Sequence, residues 1–184
     1  MSRKLAILLA IIVMVVLGSC VFGGERMFSD DDKYIDERFG QMIECIKNQD
    51  EDALSSMFSA QALTQSVDFE NRITNMFEII QGDIVSWERT GGPGVSEGKN
   101  DDGSGRVWKE IRATYDLNTS ENKYHISLQE ITKCSSDTDK VGVSSFCIVK
   151  TEDWDEEYNY WGALGLPEDF ETLGIFVDTN KSTP

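Results

Sequence analysis

The chain has 184 residues, with 33 Asp and Glu against 17 Lys and Arg, and a formal net charge of −16. That charge disfavours nucleic acid and anionic lipid headgroups as partners, and the length suits one domain with a self-sufficient core. A single histidine, and four cysteines without a CxxC pair, exclude a zinc site built from Cys and His ligands.

The N-terminus opens on Arg3 and Lys4 followed by an apolar run from Leu5 to Leu17. The run is too short for the roughly 20 residues of a spanning helix, and positive start plus short apolar stretch is the pattern of a secretory signal. It closes on Leu17-Gly18-Ser19-Cys20, which resembles the bacterial lipobox. The resemblance implies cleavage before Cys20 and a diacylglyceryl group on its thiol. Two acyl chains are what durable anchoring needs, since one binds only marginally. The expected organisation is therefore a signal peptide over 1–19, a lipidated tether over 20–32, a folded domain over 33–178 and a tail over 179–184. Loss of Arg3 and Lys4 leaves 15 basic residues against 33 acidic ones, a net charge of about −18.

The domain begins with helical patterning. Asp30 to Asp32 suit a helix N-terminus, and Ile35, Phe39, Met42, Ile43 and Ile46 recur on one face up to about Asn48. A short second helix follows "NQDED", with Leu54, Met57 and Phe58 inward. Ser66 or Asp68 caps a third, whose stripe is Phe69, Ile73, Met76, Phe77 and Ile80, with Gly82 as its C-terminal stop. These stripes are read as core.

Beyond Gly82 the period changes to two. "DIVSWERT" reads as a strand and "GGPGVSEGKNDDGSG" as a Gly-rich loop. In "RVWKEIRATYDL", Val107, Ile111, Ala113, Tyr115 and Leu117 alternate against Trp108, Glu110, Arg112, Thr114 and Asp116. "KYHISLQEITK" returns with Tyr124, Ile126 and Leu128 on the apolar face; "VGVSSFCIVK" and, after an acidic aromatic segment, "LGIFVD" complete the strands. Three helices followed by an antiparallel meander give the α+β class.

The segments "IKNQDEDALSSMFSAQAL" and "FEIIQGDIVSWE", with the long strands, resemble the cystatin-like, nuclear-transport-factor-2-like cone. More narrowly they resemble an uncharacterised family of Firmicutes lipoproteins on that cone. The resemblance implies three N-terminal helices packed on a bent antiparallel sheet that encloses a pocket in some members. It leaves activity open, because this fold hosts enzymes, binding modules and assembly domains.

Two function classes follow. One is a non-catalytic extracytoplasmic domain, held at the membrane through lipid on Cys20, that binds a small molecule or an envelope protein. The other is a ketosteroid-isomerase-like enzyme with a pocket carboxylate. For the second, strand parity offers only Glu88 and Glu130 near the mouth of a cone, with Tyr34, Tyr115 and Tyr124 facing inward, while Asp116 and His125 point away. No nucleophile, phosphate-loop or dinucleotide motif is present, so no catalytic residue and no cofactor is assigned. "NDDGSG" and "TEDWDEE" lack the Gly and Glu spacing of an EF-hand, and no metal ligand is assigned. Tyr115, Tyr124, Glu130 and Trp108 are the pocket or interface candidates. Trp108 on a polar sheet face has two readings: a homodimer surface, or cover by the acidic aromatic segment. Cys134 and Cys147 flank the "SSDTDK" turn and would face each other in a disulfide if their strands paired about residue 140 or 141.

Overall fold

The computed structural model of the chain describes residues 30–99, 105–153 and 174–177. The signal segment 1–19, Cys20, most of the tether, the tail 179–184 and most of the acidic aromatic segment lie outside the described residues. The long helix α1 (Asp30–Asn48) buries Ile35, Phe39, Met42, Ile43 and Ile46, the expected stripe, and carries Asp30, Asp31 and Asp32 in its first turn, where the helix dipole favours negative charge. The helix therefore takes in three residues that the boundary at 33 assigns to the tether. Its end is a Schellman turn with a non-glycine residue in the left-handed position. Gln49 has φ 52°, and the amides of Gln49 and Asp50 donate back to the carbonyls of Ile46 and Cys45 at 3.1 and 3.0 Å.

Three further helices are described where two are expected. Asp50 caps α2 (Glu51–Ser55) by accepting from the Ala53 amide. Ser59 caps α3 (Ala60–Gln65) by accepting from the Ala62 amide. The helix α4 (Phe69–Ile79) buries Phe69, Ile73 and Met76. The unexpected element, α3, buries only Ala62, so it carries no apolar period from which to read it. It stands because its cap residue is bolted to the sheet: the Ser59 amide donates to the Val143 carbonyl at 2.9 Å, and the Val143 amide to the Met57 carbonyl at 3.0 Å.

The described strands form one sheet in the order β1 (Ile84–Lys99), β2 (Val107–Thr119), β3 (Lys123–Cys134), β4 (Gly142–Lys150), β5 (Gly174–Val177). The first four pair antiparallel, but β5 runs parallel to β4. The sheet is thus mixed rather than the expected antiparallel meander. A second difference lies in β1, which continues through "GGPGVSEGK" instead of breaking into a loop. Pairing with β2 overrides the local signal there. The irregularity is absorbed by register shifts on either side of Gly91, and β1 is an edge strand, where proline's missing N–H costs no ladder bond.

Helix α1 lies across the inner face of this sheet. The Phe39 ring stacks on Tyr115 at 3.8 Å between centroids, with Trp87 edge-on to Phe39 at 5.2 Å. Tyr115, Tyr124, Phe39 and Phe146 are among the largest fully buried side chains, so aromatic rings fill the space between helices and sheet.

Candidate functional site

Two regions of this framework gather chemistry, one at each end of α1. At the N-terminal end a layer of charged pairs fastens the helix to three strands. Glu130 stands at an inward position of β3 and is only 1 % exposed. A buried carboxylate must be paired and hydrogen-bonded to persist. Arg38, two turns into α1, donates through Nε to both carboxylate oxygens at 3.0 Å and through Nη2 to Oε1 at 2.6 Å. The Tyr34 hydroxyl, one helical turn earlier, donates to Oε1 at 2.8 Å. The bond to Glu130 raises the Arg38 pKa further. Burial first, then the Glu130 acceptor, push the Tyr34 phenol up to about 12.

The first turns of the helix make three further ties, to Arg89, Tyr115 and Lys109. Arg89 of β1 meets Asp32 at 2.6 Å and Asp36 at 3.3 Å, and the Tyr115 hydroxyl donates to Asp36 at 3.0 Å. Burial, followed by the charge of Asp36, drives the Tyr115 phenol well above the usual tyrosine range. Lys109, near the start of β2, pairs with Asp31 at 2.5 Å. Chemically this layer is a clasp. Its carboxylates are already engaged by guanidinium, ammonium or phenol groups.

The opposite end of α1 is open. A groove of about 370 Å³ runs between the end of α1, the end of α4 and the start of β1. Ile46, Phe77, Ile80 and Ile84 form its apolar wall, and Lys47, Gln49, Gly82 and Asp83 its polar rim. The volume falls in the range of ligand sites, while the lining is mixed, with Lys47, Gln49 and Asp83 contributing polar surface beside the apolar side chains. Its far wall is held rigid. The Tyr124 hydroxyl donates to the Ile79 carbonyl at 2.6 Å and accepts from the Gln81 amide at 3.0 Å. Thr119 Oγ1 donates to the Gln81 carbonyl at 2.6 Å, and Ser120 exchanges bonds with Asp83 at 2.8 and 3.0 Å. Gly82 lies between them at φ 81°, where a Cβ would come within 2.5 Å of Ser120 Oγ. A second, more open hollow of about 470 Å³ adjoins the turns at Thr119–Lys123 and Lys150–Glu152.

The four candidates read from the sequence are thus dispersed. Glu130 and Tyr115 belong to the clasp, Tyr124 braces the groove, and Trp108 lies on the outer sheet face, 41 % exposed. Glu88 is exposed opposite Asp116, and Asp116 pairs with His125 at 2.9 Å on that outer face. The expected bridge between Cys134 and Cys147 is corrected by the register. Cys147 pairs with Ser127 and Cys134 with Trp108, so seven residues of β3, at about 3.3 Å each, separate the two positions. A disulfide needs Cα atoms within about 7 Å. The strands pair about a point nearer residue 137, because the short 3₁₀ turn Thr138–Lys140 sits on the β4 side of the connection and the end of β3 runs on beside β2 alone.

What the sequence reading missed is the groove itself. Phe77 and Ile80 continue an apolar stripe and read as core, yet both stand half-buried at its edge. The stripe gives no signal of it, since Ile80 lies just past the last helical residue, Ile79, and reads as one more core position. Arg38 was legible in principle, as the cation one turn from Tyr34 on the flank of the buried stripe. Among the described residues no group of three or more His, Cys, Asp or Glu is placed to hold a metal ion, and no helix among them is long and apolar enough to cross a membrane. No curated protein matches the chain significantly. The profile of a family described as a domain of unknown function, DUF5104, matches residues 41–151, a span from the middle of α1 to the end of β4 that holds Glu130 and every residue of the groove; the chain belongs to that family.

Proposed function

We propose that this chain is a lipid-anchored extracytoplasmic protein whose folded domain is a non-catalytic binding module. Cys20 carries the lipid, and the groove of Ile46, Phe77, Ile80 and Ile84 takes the ligand, a small apolar molecule or an apolar segment of an envelope protein. One observation carries the reading: an apolar wall of Ile46, Phe77, Ile80 and Ile84 with a polar rim of Lys47, Gln49 and Asp83 borders an open, braced volume of about 370 Å³ at the end of α1, while aromatic rings occupy the interior. The finer architecture proposed with it is the cystatin-like, nuclear-transport-factor-2-like cone of Firmicutes lipoproteins. A long helix cradled by a sheet whose edge strand shifts register around Gly91 supports that architecture. The isomerase alternative needs a carboxylate free to take a substrate proton. Glu130 already accepts from Arg38 and Tyr34, and this favours the binding reading.

Isoleucine δ1-methyl spectra test it. Titration with medium-chain fatty acids and with short apolar peptides should move the Ile46, Ile80 and Ile84 signals while leaving Ile126 and Ile148, which are fully buried, in place. A response confined to interior methyls, or none from either ligand class, contradicts the groove as the binding site.

A further inference from the structure

Among the described residues, Trp108 has a structural task on one side and none on the other. It faces Gly98 across the β1–β2 ladder, and a Cβ at position 98 would come within 2.4 Å of the indole Nε1. The ring is therefore laid over the glycine and pinned, yet 41 % of the residue stays exposed. Covering a glycine with a cross-strand aromatic stabilises a sheet edge but does not require so much open indole.

Its position gives the exposure a direction. The end of the sheet that holds Trp108 is the end at which α1 starts, since Asp31 pairs with Lys109, the next residue along β2. Residues 21–29 link that end to Cys20, and at about 3.3–3.6 Å per residue the ten steps from Cys20 to Asp30 reach no more than about 36 Å. Lysines gather at this end beside the acidic first turn of α1. Lys109 and Lys133 lie directly opposite one another. Asp31 neutralises Lys109; Lys99 and Lys133, both exposed, are in register with Val107 and Lys109 and so project from the other face of the sheet end, where Glu97 also lies opposite Lys109. A fixed indole on one face of a sheet end and lysines on the other can both meet a bilayer that the end touches, ring at the acyl boundary and ammonium groups among the phosphates.

We infer that this end of the domain, with Trp108 at its centre, rests on the membrane surface as a second contact beside the lipid, so that the groove at the far end of α1 points away from the bilayer. The inference rests on the lipid-anchor reading. Its test uses the full lipidated chain in vesicles of phosphatidylcholine and phosphatidylglycerol, with dibrominated acyl chains as quenchers of tryptophan emission. Wild type should float with the vesicles and lose emission to the bromolipid. Trp108→Phe should float equally, keep its thermal midpoint, and lose that quenching, while Trp87→Phe keeps it. Flotation with equal quenching in wild type and Trp108→Phe overturns the surface contact but leaves the anchor standing. Cross-linking of two copies through this face, with no bromolipid quenching, assigns it to a second copy and overturns it as well. Failure to float at all removes the anchor and this inference together.

Discussion

Glu130 is the residue on which the clasp depends. A carboxylate 1 % exposed is tolerable because a guanidinium and a phenol satisfy it, and removing one partner leaves its charge buried and uncompensated. Breaking such a pair costs about 3–5 kcal/mol, whereas replacing both partners with apolar residues is often near neutral. Arg38 retains some solvent contact, with its side chain 24 % exposed, so the lower end of that range applies. Arg38→Leu is expected to cost about 3 kcal/mol, read from the urea midpoint at unchanged slope. Adding Glu130→Leu should return most of the loss. If Arg38→Leu cost no more than an exposed ion pair, about 1 kcal/mol or less, the carboxylate would have to be reached by water.

At the scale of elements, legibility followed periodicity. The α1 stripe and the alternation of β2 and β3 were readable because a run of inward side chains is apolar: Ile111, Ala113, Tyr115 and Leu117 on one strand, Tyr124, Ile126 and Leu128 on the other. Glu130 continues that parity, and its inward position was readable for the same reason. The second half of β1 was not legible, because Gly91, Gly92, Pro93 and Gly94 signal a turn and only pairing with β2 makes them a strand. Nor was the hairpin register between β3 and β4, which the off-centre 3₁₀ turn sets. The end of α1 stands where the stripe places it, at Asn48, but its stop carries no glycine signal: glycine is the usual residue at a left-handed helix stop, and here Gln49 occupies it at φ 52°. A non-glycine residue in that conformation carries about 1–2 kcal/mol of strain. Gln49→Gly should therefore stabilise the domain by about 1 kcal/mol, less than the strain because glycine also frees the unfolded chain. A thermal midpoint that falls in this variant would mean that the Gln49 side chain, at the rim of the groove, holds the turn.

For the whole molecule, α1 works as a spar. Its 19 residues span about 28 Å at 1.5 Å per residue, with the clasp and the tether at one end and the groove at the other. A ligand carried by a neighbouring envelope protein would then meet the groove clear of the headgroups, and the acidic surface would keep the rest of the domain from lying flat on anionic lipid. This arrangement has function only if the chain is held at its N-terminal end, for which the proposed reading makes the lipid on Cys20 the anchor. Labelling with palmitate, followed by detergent phase partition of wild type and Cys20→Ala, tests that claim most directly. Wild type should carry the label and enter the detergent phase, while Cys20→Ala should carry none. Label that persists in Cys20→Ala would place the lipid elsewhere and contradict the account.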